Sequence, residues 1–283
     1  MHIFKEIADL QLWLAQQRKA GNSIAFIPTM GALHHGHLTL VEAGRATGAL
    51  TVASIFVNPT QFNDPKDLEK YPRTPEKDLE LLLKVHCDAV FFPEVTEIYP
   101  VGKSLTLHLD FGTMEQVMEG KFRPGHFNGM ATVVKRLLDI VQPNQLYMGQ
   151  KDYQQLSIVR QMLFLLGSTV ELVMVPTVRE SDGLAMSSRN VRLSPEMRAL
   201  APALYKVLSS AAQLVSSSDL RDLEQKAMLE LEQQGFSPEY FEIVDGHTLL
   251  PLEKDSDARQ AVICTAVWAQ DVRLIDNVLV NEF

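Results

Sequence analysis

Cysteine is scarce in this chain: Cys87 and Cys264 are the only two, both in apolar surroundings and without CxxC spacing. Such a pair builds neither a disulfide framework nor a thiolate metal site, and it suits a reducing cytoplasm. No run of 18 apolar residues occurs, so the sequence predicts no helix through a membrane. The opening stretch Met1-His2-Ile3-Phe4-Lys5-Glu6 lacks a secretory apolar core, and Asp9 interrupts the next apolar stretch. Positive charge is also short, with 26 basic against 35 acidic residues and a net charge of −9. A nucleic-acid partner requires the opposite balance. Two nucleotide-binding signatures are missing too. No GxGxxG occurs, and Gly102-Lys103-Ser104, which resembles the end of a P-loop, has Glu97 where the first glycine belongs. The expectation is a soluble cytoplasmic protein with no membrane or nucleic-acid role.

What is present is a large apolar fraction, 46%, enough to pack one large or two modest domains in 283 residues. Strand and helix patterns alternate through the first half. Ser23–Ile27, Leu50–Val57, Asp88–Phe92, Gln145–Met148 and Thr169–Val175 read as strands. Helical spacing covers Leu38 to Ala49 and Phe127 to Val141. Thr74-Pro75-Glu76 offers an N-cap, a proline at the first position and a first-turn acid for a helix through about His86. A further helix runs from Asp152 to Leu166 and stops at Gly167. This alternation predicts an α/β fold with a parallel sheet covered by helices. After Pro176 the order changes. Helices beginning at Ser194-Pro195-Glu196 and Asp219 precede strands Tyr240–Val244, Ala261–Trp268 and Val272–Ile275, as in a smaller α+β domain. The boundary falls near Pro176–Thr177, giving domains 1–176 and 177–283.

The most telling segment is Pro28-Thr29-Met30-Gly31-Ala32-Leu33-His34-His35-Gly36-His37, between the first long strand and its helix. A helix N-terminus presents unpaired N–H groups and the positive end of a dipole, so it attracts anions such as phosphates. Gly31 and Gly36 allow close backbone approach, and His34 and His37 can donate to phosphate oxygens. The pattern predicts an ATP site. A metal site is the rival, but no HExxH pattern or cysteine cluster completes a ligand set.

Three other clusters can serve the same chemistry. Gly149-Gln150-Lys151-Asp152 comes after a strand and opens a helix; Lys151 brings positive charge, Asp152 can cap the helix and accept from a ribose hydroxyl, and Gln155 lies one turn on. Met186-Ser187-Ser188-Arg189-Asn190 sets two hydroxyls beside a guanidinium, as in a phosphate clamp. At the end of a strand, Asn58-Pro59-Thr60-Gln61 offers an amide that both donates and accepts. The polar, proline-rich stretch onward through Tyr71-Pro72-Arg73-Thr74 suits a lid. Each also has a plain reading, as an exposed helix start, a polar loop or a turn.

Taken together, PTMGALHHGH at 28–37, FVNPTQF at 56–62, YPRTP at 71–75, RPGHFNGMATVV at 123–134, LYMGQKDYQQ at 146–155, MSSRN at 186–190 and RLIDN at 273–277 resemble the pantothenate synthetase (pantoate–β-alanine ligase) family. HxGH alone marks only the wider nucleotidyl-transferring superfamily. The resemblance implies a Rossmann-like parallel-sheet N-terminal domain, a smaller C-terminal domain closing over the ATP site, and a homodimer. By motif, Met30, Gly31, Ala32, Leu33, His34, His35, Gly36 and His37 would line the ATP site together with Gly149, Gln150, Lys151, Asp152, Val178, Met186, Ser187, Ser188 and Arg189. His37, His34, Lys151 and Arg189 would carry the catalysis, and Gln61 and Gln155 would hold pantoate, with Gln61 bordering the β-alanine position.

The implied reaction is ATP-dependent condensation of pantoate with β-alanine through a pantoyl adenylate, releasing pyrophosphate and AMP. Mg²⁺ would help neutralise the triphosphate, with ligands the sequence does not reveal. Two other readings remain open at this level: a superfamily member that stops at nucleotide transfer, and a non-catalytic protein that keeps the fold. The first leaves Gln61 and Gln155 without a role; the second predicts loss of His, Lys or Arg positions that are all present.

Overall fold

A computed structural model describes residues 1–62, 65–102, 107–253 and 260–280. Lys103 and Ser104 of the P-loop-like triplet, and Asn63 and Asp64 on the segment read as a lid, lie outside the described residues. The chain forms two compact units. One comprises Met1–Asp110, Gly125–Gly149 and Ile158–Pro176; the other comprises Phe111–Pro124, Gln150–Ser157 and Thr177–Phe283.

The first unit is built on a six-stranded, wholly parallel sheet of β1 (His2–Phe4), β2 (Ile24–Thr29), β3 (Leu50–Ile55), β4 (Ala89–Phe91), β5 (Gln145–Gly149) and β6 (Glu171–Val175). The spatial order is β1-β4-β3-β2-β5-β6. β2, β3 and β4 are apolar runs buried almost throughout, which suits strands covered on both faces. From β2 the chain moves outward through β3 and β4, then returns to the other side of β2 for β5 and β6. The order therefore reverses between β2 and β5, and open α/β sheets bind ligands outside the strand ends at such a point.

The β2–β5 ladder is short. It holds only Ala25↔Gln145 and Phe26↔Leu146, although β2 continues to Thr29 and β5 to Gly149. Ile24 turns its backbone groups toward the β5 side, bonding Asn144 through both N–H and C=O at 2.9 Å. Period-two alternation then aims Phe26 and Pro28 the same way. Pro28 has no N–H to give, so the ladder ends where the strand ends need to part.

Several elements differ from the sequence reading. The helix after β2 spans His35–Ala46 and so starts three residues earlier than Leu38, placing His34 at its N-cap. The helix after Thr74 spans Pro75–Lys84, but the Thr74 hydroxyl does not cap it; it donates to Asp78 Oδ1 at 3.0 Å. Edge strand β1 and helices Ile7–Lys19 and Ala203–Leu214 are additions to that reading.

In the second unit, β7 (Ser237–Asp245), β8 (Ala261–Ala269) and β9 (Val272–Val280) form an antiparallel sheet. Leu204, Val207 and Leu208 of helix Ala203–Leu214, with Leu223 and Leu231 of helix Leu220–Gln233, share one core with Ile243, Ile263 and Leu274 of that sheet. The fold is α/β, a Rossmann-like parallel sheet with a smaller C-terminal α+β part.

Candidate functional site

The His-bearing turn leaves the end of β2 and is held by the protein's own core. Leu33, Leu38 and Val41 pack with Ile27, Ile55 and Leu82. Gly31 has φ +78° and Ala32 has φ +49°, a left-handed conformation that alanine adopts at a cost. What fixes it is Asp78. Its carboxylate accepts the Ala32 N–H at 2.9 Å and the Leu33 N–H at 2.7 Å, and it is 1% exposed. The Thr29 hydroxyl adds a 3.3 Å bond from the Gly31 N–H and donates onward to the Ser54 carbonyl at 2.6 Å.

Beyond this support the two imidazoles lie with centroids 4.0 Å apart and planes at 42°. The His34 backbone N–H donates to His37 Nδ1 at 3.3 Å. An accepting Nδ1 places the proton of a neutral ring on Nε2, so His37 presents an N–H donor at its far edge. His35 opens the helix and is exposed.

Gln61 is buried at the end of a 3-10 turn, Pro59–Gln61. Its Oε1 accepts from Asn58 Nδ2 at 3.0 Å, and its Nε2 donates to the Met30 sulfur at 3.1 Å. A thioether is a weak acceptor, so this donor is poised for a better one. Asn58 is itself fixed, accepting from the Tyr99 hydroxyl at 2.8 Å and donating to the Gly129 carbonyl at 3.3 Å. His126 Nδ1 sits 2.8 Å from the Gln61 carbonyl.

In the second unit, β9 anchors four separate segments through the RLIDN stretch. Arg273 grips Glu119 in a bidentate pair at 2.8 and 2.6 Å and also meets Glu239 at 2.7 Å. Burial alone would push the Glu119 carboxyl up; the Arg273 guanidinium outweighs it and holds the group at about 2. Asp276 pairs bidentately with Arg179 at 2.6 and 2.9 Å. Asn277 Nδ2 donates to the Gln150 and Lys151 carbonyls at 3.0 and 2.8 Å, and its Oδ1 accepts from Gln150 Nε2 at 3.1 Å. Gln150, Lys151 and Asp152 thus form a braced 3-10 turn. The Asp152 carboxylate lies 3.2 Å from Lys151 Nζ.

Val178 and Met186 are neighbours across a short hairpin, joined by a 3.0 Å bond from the Met186 N–H to the Val178 carbonyl. Ser187 accepts the Arg189 N–H at 3.2 Å and caps the 3-10 turn Ser188–Arg192, so Ser188 and Arg189 lie on an ordered turn, not a slack loop. The adjacent glutamines have different duties. Gln154 spends its amide on Met114, Val117 and Glu119 backbone groups, at 2.7, 2.9 and 2.9 Å. Gln155 is half-buried and its side chain makes no bond to a described residue. At Gly149 an added Cβ would meet no atom within 4 Å and φ is not left-handed, so nothing in the protein itself demands glycine there.

Asp78 lies outside every quoted motif, whereas Asn58 and Asn277 fall inside FVNPTQF and RLIDN, which by themselves give neither a role. One signal was available for Asp78: it lies one helical turn before the buried Leu82, on the face that packs inward.

Sheet, switch point and turn define the class as a Rossmann-like α/β protein with an HxGH turn after β2. Residues 2–279 match the family described as Pantoate-beta-alanine ligase. The chain belongs to the pantoate–β-alanine ligase family. It is 46% identical over 279 residues to the pantothenate synthetase of Porphyromonas gingivalis (strain ATCC BAA-308 / W83), covering 98% of this chain and 99% of that one. Identity to the Cytophaga hutchinsonii pantothenate synthetase is 40% over 277 residues, 97% of each. The fold matches the crystal structure of pantothenate synthetase from Thermus thermophilus with a TM-score of 0.92 at 43% identity, covering 100% of both chains. The pantoate–β-alanine ligase of Francisella tularensis, crystallised with β,γ ATP and β-alanine, matches with a TM-score of 0.82 at 34% identity, over 100% of this chain and 99% of that one.

Proposed function

We propose that this chain condenses pantoate with β-alanine in two ATP-driven steps. In the first, a pantoate carboxylate oxygen attacks the α-phosphorus, the Pα–O–Pβ bond breaks, and pyrophosphate leaves. In the second, the β-alanine amine attacks the activated carbonyl carbon, loses a proton, and AMP leaves as the amide forms. The observation that carries this reading is the braced imidazole pair, His34 and His37, at the switch-point end of β2 in a member of this family.

His37, with its proton on Nε2, serves as a donor to phosphate oxygens whose charge grows as the α-phosphorus is attacked. Lys151 and Arg189 supply positive charge to the departing pyrophosphate, and the ordered Ser187-Ser188 turn adds hydroxyl donors. Gly149, required by neither backbone nor packing, is read as a place where the nucleotide passes close to the chain. Val178 and Met186 border the adenine. Magnesium enters as part of the nucleotide substrate. Among the described residues no group of three or more His, Cys, Asp or Glu side chains could hold a metal. An ion that keeps phosphate and water ligands requires no such cage.

The direct test supplies pantoate, β-alanine and MgATP and measures pantothenate together with AMP. Formation of ADP in place of AMP overturns the adenylate route. A member that stopped at nucleotide transfer would release no pantothenate and would accept a phosphate-bearing substrate in place of pantoate.

Gln61→Ala and Gln155→Ala are expected to raise the KM for pantoate far more than that for ATP. Each amide is assigned to the hydroxyl and carboxylate of pantoate, and removing one partner leaves polar groups unsatisfied, at about 1–3 kcal/mol each. Initial-rate kinetics with each substrate varied will show it; equal effects on both substrates would place these residues elsewhere.

We read the chain as a cytoplasmic homodimer. The exposed run Phe164-Leu165-Leu166, which leads into edge strand β6, is apolar surface of the kind a second copy covers. Sedimentation should give about twice the 31.7 kDa chain mass, and a monomer at micromolar concentration would contradict it.

A further inference from the structure

The buried carboxylate of Asp78 takes no part in the chemistry above, yet it is among the most constrained charges in the first unit. It is 1% exposed, and among the described residues no Lys, Arg or His forms an ion pair with it. Its charge is met instead by three directed donors: the Ala32 N–H on Oδ2, and the Leu33 N–H and Thr74 hydroxyl on Oδ1. Asp78 also lies in the first turn of helix Pro75–Lys84, where the dipole favours an anion. Packing at the contact is close, since a Cβ on Gly31 would come within 2.9 Å of Oδ2 and 3.1 Å of Ile55 Cγ2.

Two of the three donors belong to the residues just before His34, and one of them, Ala32, is held in the left-handed region. A conformation that costs energy persists only when its surroundings over-determine it. From this geometry we infer that Asp78 is a positioning residue for the reaction: it clamps the turn so that His34 and His37 stand where the phosphates must be met. The inference rests on the phosphate-contacting role proposed for those imidazoles.

An Asp78→Asn change keeps the shape but turns one acceptor into a donor. The new NH₂ must face either the Ala32 N–H or the Leu33 N–H and Thr74 hydroxyl, donor against donor, so at least one anchor is lost. Small misplacement of a catalytic group costs up to about 10²-fold. Asp78→Asn is therefore expected to melt cooperatively, to lose about 10–100-fold in kcat/KM for ATP, and to leave the KM for β-alanine unchanged. In a His37→Ala background it should add little further loss, because groups acting through one another are not additive. Thr74→Val, which removes only the hydroxyl on Oδ1, should lose about 2–10-fold in the same quantity.

The measurements are kcat, KM for each substrate and melting temperature for Asp78→Asn, Thr74→Val, His37→Ala and the Asp78→Asn/His37→Ala pair. An active Asp78→Asn beside a defective His37→Ala overturns the inference alone, as does full multiplication of the two losses in the pair. A defective Asp78→Asn beside a fully active His37→Ala overturns it through the reading it rests on. If Asp78→Asn does not fold, Thr74→Val decides: an unchanged kcat/KM for ATP overturns the clamp, and a selective loss supports it.

Discussion

Replacing His37 with alanine is expected to lower kcat by about 10²–10³-fold, the usual cost of losing one donor aimed at charge that develops in the transition state. The His37 ring is partly exposed at the first turn of its helix and contributes little to the core formed by Leu33, Leu38 and Val41. The melting profile should therefore change little. The donating nitrogen is Nε2, because Nδ1 is taken by the His34 N–H. His37→Gln, whose amide can place an N–H near the same point, should recover part of the lost rate where His37→Ala does not. A near-normal kcat in purified, folded His37→Ala would remove the imidazole from the reaction.

The second large effect concerns the intermediate. If pantoyl adenylate forms before the amine reacts, labelled pyrophosphate should exchange into ATP with pantoate present and β-alanine absent. Arg189→Ala should suppress that exchange by about 10²-fold or more, since a directed guanidinium is lost where negative charge gathers on the leaving group. Lys151→Ala should act likewise. The second half-reaction, started from supplied pantoyl adenylate, should suffer less in both variants because pyrophosphate has already left. Absence of pantoate-dependent exchange in the unchanged enzyme would favour a concerted ligation. Equal damage to both halves would mean that Arg189 and Lys151 hold the adenylate as a whole.

The parts legible in the sequence are those whose residue types carry their own physics. β2 and β3 are apolar on both faces and announce themselves as buried parallel strands. The clustered histidines and glycines mark a turn between strand and helix, and the fold places them there, between β2 and helix His35–Ala46. Short and edge elements are harder to see. β1 has three residues, two of them exposed, and it exists because Ile3 aligns with Val90 of β4. Helix Ile7–Lys19 buries only Leu10 and Leu14 and starts at Glu6 without a side-chain cap, so Asp9 in its first turn and Arg18 and Lys19 in its last are the faint signals that mark it. The supporting residues of the site are least legible of all. Asp78 meets Leu33 across 45 positions and Gln150 meets Asn277 across 127, and a partner that distant leaves no trace in local spacing.

The way the chain threads its two units bears on whether either half could have an independent existence. It crosses from one to the other after Asp110, Pro124, Gly149, Ser157 and Pro176. A polypeptide ended at Pro176 would carry Glu119 without Arg273, Gln150 without Asn277 and Tyr153 without the Gly246 carbonyl. Glu119 would keep only the looser Arg123 contact at 3.4 Å, and Arg273 on the other fragment only Glu239, so each side of a buried ion-pair network would lose its bidentate partner. The fold is thus a poor subject for gene fission or for swapping its C-terminal portion with a distant relative's. An exchange that respects it would have to move Phe111–Pro124 and Gln150–Ser157 together with β9, three pieces far apart in the gene that behave as one heritable module.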